Sequence, residues 1–145
     1  MKTSQIGIEL IKRHEGLKLK SYLCPAGIYT IGYGHTRTAA AGLTISRQLA
    51  EELLMQDLQF AEIAVNSSGV IINQNQFDAL VSFAFNLGST AFKGSSLLKK
   101  IKLNASEEEI RYQFSRWVHA KGIPIPGLIA RRTDEANLYF SLNNL

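Results

Sequence analysis

Apolar positions recur at helical spacing along most of this chain, with one interruption near the N-terminus where the period shortens to two. Ile6, Leu10 and Ile11 share one face of a segment from Thr3 to His14, which predicts a helix with Thr3 or Ser4 as its N-cap. Glu15-Gly16 ends it, the glycine supplying a left-handed stop. Leu17 to Leu23 and Ile28 to Tyr33 predict two short strands around a Cys24-Pro25-Ala26-Gly27 turn, because Tyr29, Thr30, Ile31 and Tyr33 favour strand. Arg37 to Leu43 is rich in Ala and Gly and predicts a loop. A long helix opens near Thr44 to Ser46, with Leu49, Leu53, Leu54, Leu58, Ile63 and Ala64 near helical spacing, and fades at Asn66-Ser67-Ser68-Gly69. Asn73 with Gln76 makes a capping-box variant ahead of Phe77 to Leu87, a helix apolar on more than one face and therefore expected to be buried; Gly88 stops it. Phe92 to Leu103 predicts a turn and a short basic helix. Ser106 with Glu109 predicts a capping box opening a helix toward Trp117 and Val118. Gly122, Pro124, Pro126 and Gly127 predict a stiff loop before a last helix, Leu128 to Leu142. The pattern is that of an α+β protein, mostly α.

Composition narrows this little. A chain of 145 residues, 46% hydrophobic and 19% charged, is long enough for a proper core and too apolar for disorder. Its apolar runs fall far short of the ~20 residues that span a bilayer. Met1 to Leu10 has no uninterrupted apolar core or small-residue cleavage site, so no signal peptide is expected. One cysteine excludes an internal disulfide and fits synthesis in a reducing cytoplasm. The net charge of +4 points weakly to an anionic partner.

Candidate chemistry concentrates between His14 and Thr36, where Glu15, Cys24, Thr30 and His35 fall within hairpin-like sequence. Glu15 sits at a helix C-terminus, where the dipole disfavours a carboxylate; it reads either as an exposed glutamate or as a general acid. Lone cysteines more often fill cores than attack substrates, although a Pro/Gly turn near Glu15 weakens that reading of Cys24. Thr30 and His35 taken singly are a strand threonine and a polar residue after a glycine. His14, His35 and His119 are too scattered for a metal site, and Gly32 and Gly34 lack the context of a phosphate loop. Neither metal nor cofactor is expected. From these features alone the chain is a possible hydrolase.

The stretch Glu15 to His35 resembles the signature of the phage-type lysozymes, glycoside hydrolase family 24, whose members act as endolysins: a Glu, a second residue nine positions on, then a Thr inside a Tyr-Thr-Ile-Gly-x-Gly-His run. Here these are Glu15, Cys24, Thr30 and the intact run Tyr29 to His35. Gln76 to Gly88 resembles that family's central buried helix, and Pro126 to Arg132 with Glu135 and Leu138 to Phe140 resembles its last helix. The resemblance implies a lysozyme-like fold in one domain over residues 1–145. A lobe with the β-hairpin and active site would cover about 15–65, facing across a cleft a helical lobe of about 66–145 plus the N-terminal helix 3–14.

By the same resemblance, Glu15 would protonate the glycosidic oxygen leaving the β-1,4 bond between N-acetylmuramic acid and N-acetylglucosamine in peptidoglycan. Thr30 would hold the attacking water or the sugar. Gly34, Thr36, Phe85 and Asn86 would meet substrate, and Gly88 would lie beside them. His35 would be structural, with Asp57 or Asp78 as a possible partner, and Arg131 or Arg132 would approach Glu15. Cys24 departs from the family's common Asp, and a thiol is mostly neutral at pH 7. It stands as an activating thiolate, as a neutral partner that helps Thr30 position water, or as a weakened site. The implied setting is a holin-dependent endolysin, monomeric, binding no nucleic acid, held in the host cytoplasm until lysis and then acting on the wall. A lytic transglycosylase on the same substrate and a non-enzymatic basic wall-binding protein are the alternatives.

Overall fold

The computed structural model describes residues 1–142. The chain runs α1 (Gln5–Glu15), β1 (Lys18–Leu23), β2 (Tyr29–Gly32), α2 (Arg47–Asn66), α3 (Gln74–Leu87), α4 (Ser89–Lys93), α5 (Ser96–Lys102), α6 (Glu107–Ser115), β3 (His119–Ala120), β4 (Ile123–Pro124) and α7 (Pro126–Tyr139). It is α+β and mostly helical, as the hydrophobic pattern predicts.

Helix α3 is the central post, packed by α1, α2, α4 and α7. Every residue from Phe77 to Ala84 is buried, so its apolar surface on several faces has a partner on each. Its start is fixed by the expected capping box: the Asn73 side chain accepts from the Gln76 N–H at 2.9 Å and the Asn73 N–H donates to Gln76 Oε1 at 3.0 Å. One continuous apolar cluster joins Ile11, Leu54, Leu58, Phe77, Phe83, Phe92, Leu97, Phe114 and Tyr139. Edge-to-face contacts of Phe83 with Phe92, Phe114 and Trp117, at 5.7–6.3 Å between centroids, lie at its centre.

The β-hairpin leaves this helical body directly after α1. Gly16, at φ 71°, ends α1 and donates its N–H to Lys12 O. Strands β1 and β2 pair antiparallel with Tyr22 opposite Thr30 and Leu23 opposite Tyr29, around a turn closed by Gly27 N–H to Cys24 O. The register shifts between Lys18 and Tyr22, where β1 also exchanges bonds with the segment 43–45. This third, bridging segment ties the hairpin to the N-cap of α2, whose Ser46 side chain accepts from Leu49 N–H.

Several elements differ from expectation. Glu15 belongs to the last turn of α1 rather than lying past it. On α2, Leu49 and Ile63 are exposed, and Ala50, Leu54, Leu58, Ala61 and Ala64 form the inner stripe. The turn and basic helix expected over 92–103 are two helices: α4 stops at Gly94, and the buried Ser95 starts α5 by capping Leu98 N–H. Ser106 caps Glu109 N–H, but the capping box is not closed by a reciprocal bond, and α6 ends at Ser115 before Trp117. The stiff loop contains a two-residue hairpin, because Lys121 (φ 51°) and Gly122 (φ 77°) both take the left-handed conformation that a tight hairpin turn requires. Pro126 begins α7 instead of preceding it, since proline suits the first helical position. That helix ends at Tyr139, so Leu142 lies beyond it; the stretch 143–145 of the expected domain lies outside the described residues. No helix among the described residues is long and apolar enough to cross a membrane.

Candidate active site

A cavity of about 390 Å³ opens between the hairpin side and the helical body, lined by Glu15, Gly34, Thr36, Arg37, Asp57, Phe60, Ala61, Ala84, Phe85, Asn86, Gly88 and Ser89. Its size suits a small-molecule or sugar-ring ligand. Seven of the residues singled out from sequence therefore share this space: Glu15, Gly34, Thr36, Asp57, Phe85, Asn86 and Gly88.

Glu15 reaches the cavity from the last turn of α1, with its side chain only 18% exposed. Two features fix its position. Gly34 turns back at φ 74° directly beneath the carboxylate, so closely that a Cβ there would meet Glu15 Oε1 at 2.5 Å. From the other side Arg131 Nη1 of α7 donates to Glu15 Oε2 at 2.5 Å. Of the two arginines that the sequence put near Glu15, Arg131 makes the contact and Arg132 does not.

Both arginines belong to a buried array behind the cavity. Arg131 Nε lies 3.4 Å from Glu135 Oε2 and Arg132 Nε 2.7 Å from Glu135 Oε1, while the Ser82 hydroxyl donates to Glu135 Oε2 at 2.5 Å. Arg132 Nη2 donates to Asn86 Oδ1 at 2.9 Å, and its guanidinium lies over the Phe83 ring. Two carboxylates and two guanidinia balance, which is the condition for burying charge at all. Burial pushes the Glu135 carboxyl up from its ordinary value, against the pull of Arg132, Arg131 and the Ser82 hydrogen bond. The array thus carries the positions of Glu15 and Asn86 back to one residue on α7.

His35 is buried and does not line the cavity. Its Nδ1 lies 2.7 Å from Asp57 Oδ2 and its Nε2 2.6 Å from the Thr38 hydroxyl. Asp57 is therefore its partner. Asp78 instead binds the N-terminus of α1, accepting from the Ser4 N–H and hydroxyl.

Cys24 and Thr30 stand apart from the cavity lining, on the hairpin. Cys24 is a half-buried free thiol at the turn. The backbone N–H groups of Ile28 and Ala26 face its sulfur, with the Thr30 hydroxyl also in reach, and hold its pKa below the ordinary thiol value. Thr30 is buried, and its hydroxyl donates to Ile28 O at 3.1 Å.

Sequence reasoning passed over Arg37 and Phe60 and gave no role to Ser82 or Glu135. For Glu135 a signal existed: an acid three and four residues after Arg132 and Arg131, on a helix facing an apolar core. For Arg37 and Phe60 there was none, because their contact joins a loop to α2 across more than twenty residues.

The chain as a whole is similar to known proteins. The sequence model of the phage lysozyme family matches residues 12–135. The chain is 42% identical over 146 residues to an endolysin of Acyrthosiphon pisum secondary endosymbiont phage 1, covering 97% of this chain and 99% of that protein. It is 41% identical to an endolysin of Salmonella phage P22, again over 97% and 99%. Among solved structures it is similar to the muramidase domain of SpmX from Asticaccaulis excentricus, with a TM-score of 0.90, 37% identity, and 97% and 99% of the two chains covered.

Proposed function

This chain belongs to the phage lysozyme family, and we propose that, as a phage endolysin hydrolysing peptidoglycan by muramidase action, it uses Glu15 as the general acid. The observation that carries this assignment is the seat of Glu15. Its carboxyl sits in the cavity, pressed against the Gly34 backbone on one side and held by Arg131 on the other. A general acid must meet one oxygen of the substrate along one line, so a carboxyl with fixed rotamers is worth more than a mobile one. In the reaction Glu15, carrying a proton in place of the charge it shares with Arg131 in the free site, passes that proton to the glycosidic oxygen as the bond to the muramyl anomeric carbon breaks. The sugar develops oxocarbenium character, and a water adds to that carbon, its proton passing to the Cys24 thiolate, or to solvent where Cys24 only positions the water. Asn86, fixed by Arg132, and Thr36 hold the sugar in the cavity. Cys24 and Thr30 lie on the hairpin outside the cavity lining, and we assign them the far side of the reacting bond, with the glycan strand running from the cavity onto the hairpin, where they activate or orient the water. Hydrogen bonding that lowers the pKa of Cys24 raises its thiolate fraction above that of an ordinary thiol at the same pH.

The wider setting is proposed with it: a monomer retained in the host cytoplasm until a holin opens the inner membrane, then acting on the wall.

Clearing of permeabilised Gram-negative cells tests the assignment. Glu15→Gln abolishes clearing, and Cys24→Ala retains part of it. Full clearing by Glu15→Gln sinks the role of Glu15, and equal, near-complete loss in both variants makes Cys24 as essential as the acid. The products of a hydrolase carry one water more than the anhydro-sugars of a lytic transglycosylase, which mass spectrometry of released muropeptides reads directly.

A further inference from the structure

Among the described residues lining the cavity, Arg37 is the only cation. Its placement is determined on two sides. Nε and Nη2 both donate to Asp57 Oδ1, at 3.3 and 2.9 Å, and the guanidinium carbon lies over the Phe60 ring, 4.8 Å from its centroid. Asp57 is already committed through its other oxygen to the buried His35, so the aspartate is fixed by the fold and in turn fixes the arginine. What Asp57 and Phe60 leave over is one edge of the guanidinium. Nη1 has no hydrogen-bond partner among the described residues, and the side chain is 51% exposed. An arginine pinned at one edge and one face, with its other edge open in a substrate cavity, is preorganised to receive a carboxylate.

We propose that Arg37 is a specificity-determining residue that binds a carboxylate carried on the 3-O-lactyl substituent of the muramyl sugar, and so selects acidic glycan strands over neutral ones. This rests on the muramidase reading above, because it names which feature of that substrate the cavity recognises. Two sources offer the same chemistry: the lactyl carboxyl itself when no peptide is attached, and the carboxylates of the stem peptide when one is. Glu15 and Arg37 line the same cavity, so a strand seated with its scissile bond at Glu15 occupies space that Arg37 borders. The guanidinium is half exposed, which lets salt screen the contact and puts the effect in the binding of the strand rather than in the chemical step.

The experiment compares soluble, uncross-linked glycan strands in three forms. One bears native stem peptides, one has every carboxyl converted to a neutral methylamide, and one is stripped of peptide by an amidase, leaving only the lactyl carboxylate. The wild-type protein is expected to show a KM about tenfold lower on native than on neutralised strands, with similar kcat. In Arg37→Met that ratio falls to near one, and in Arg37→Lys, which keeps the charge but not the fork, it lies between. Dependence on Arg37 that survives stripping identifies the lactyl carboxylate as the ligand, and dependence lost on stripping identifies the stem peptide. Equal KM values on native and neutralised strands in the wild-type protein overturn the proposal, and that measurement needs no variant to fold. A loss in Arg37→Met that is the same on both strands also overturns it, since it assigns Arg37 only to packing of Phe60 and Asp57. Failure of the wild-type protein to cleave any of the strands would instead remove the muramidase reading itself.

Discussion

Gly34 shows how closely a single position constrains this site. A glycine at φ 74° is free of the cost that any other residue meets there, and this one also lies beneath the Glu15 carboxylate with no room for a methyl group. Gly34→Ala combines both penalties. The backbone strain amounts to about 1–2 kcal/mol, a fall in Tm of about 5 °C for a chain of this size. The added Cβ must also push the Glu15 carboxylate off its seat, because the carboxylate is the flexible partner in that contact. Displacement of an acid by about 1 Å lowers turnover on the order of a hundredfold. The expected variant is thus folded at 25 °C with wild-type circular dichroism and nearly without muramidase activity. Retention of most activity would mean that Glu15 does not need this seat. The tyrosine-to-histidine run containing Gly34 was evident in the sequence, but the reason for the glycine was not: φ and the approach of Glu15 both depend on how α1 meets the hairpin.

At the scale of elements, the local signals transferred well and the long-range ones did not. Ser46, the Asn73–Gln76 pair and Gly16 mark helix ends through bonds to residues within four positions, and such ends are legible because both partners lie in one short window. The small hairpin around Lys121 and Gly122 was hidden by its prolines, which read as a loop although Pro124 and Pro126 occupy a strand end and a helix start that tolerate them. The ion array linking α3, α7 and α1 was hidden for another reason. Ser82, Arg131, Arg132, Glu135 and Glu15 come from three helices distant in sequence, and only packing of α7 on α3 brings them together. Its energetics predict a large effect. Glu135→Gln leaves the buried Arg131 and Arg132 side by side with Glu15 as the one remaining carboxylate. Removing one partner of a buried ion pair costs about 3–5 kcal/mol, corresponding to a fall in Tm of roughly 10 °C. Thermal unfolding followed at 222 nm measures it, and a shift of under about 2 °C would show that the array contributes little net stability.

At the scale of the molecule, charge is distributed unevenly. Residues 16–50, which form the hairpin and its approach to α2, contain Lys18, Lys20, Arg37 and Arg47 and no acidic residue, whereas the rest of the chain holds twelve basic and twelve acidic residues. The formal +4 of the whole protein is therefore the charge of that one region. A bacterial wall is rich in carboxylate and phosphate, so long-range attraction acts on the hairpin side and brings the cavity wall bearing Arg37 toward the substrate. Exposed charges of this kind are screened within about 10 Å at 0.1 M salt and about 3 Å at 1 M. The rate of clearing of permeabilised cells should accordingly fall severalfold as NaCl rises from about 0.05 to 0.5 M, a range over which the Debye length drops well below the dimensions of the hairpin region. Lys18 and Lys20 lie on β1, are exposed, and make no ion pair among the described residues, so they test the effect without touching the cavity. Replacing both with glutamate changes each position by two charges and brings the region from +4 to zero. The Lys18→Glu/Lys20→Glu protein is expected to clear cells several times more slowly than wild type at low salt and to match it at high salt, where the attraction is screened for both. Equal salt slopes for the two proteins would show that the charge of the hairpin region plays no part in reaching the wall.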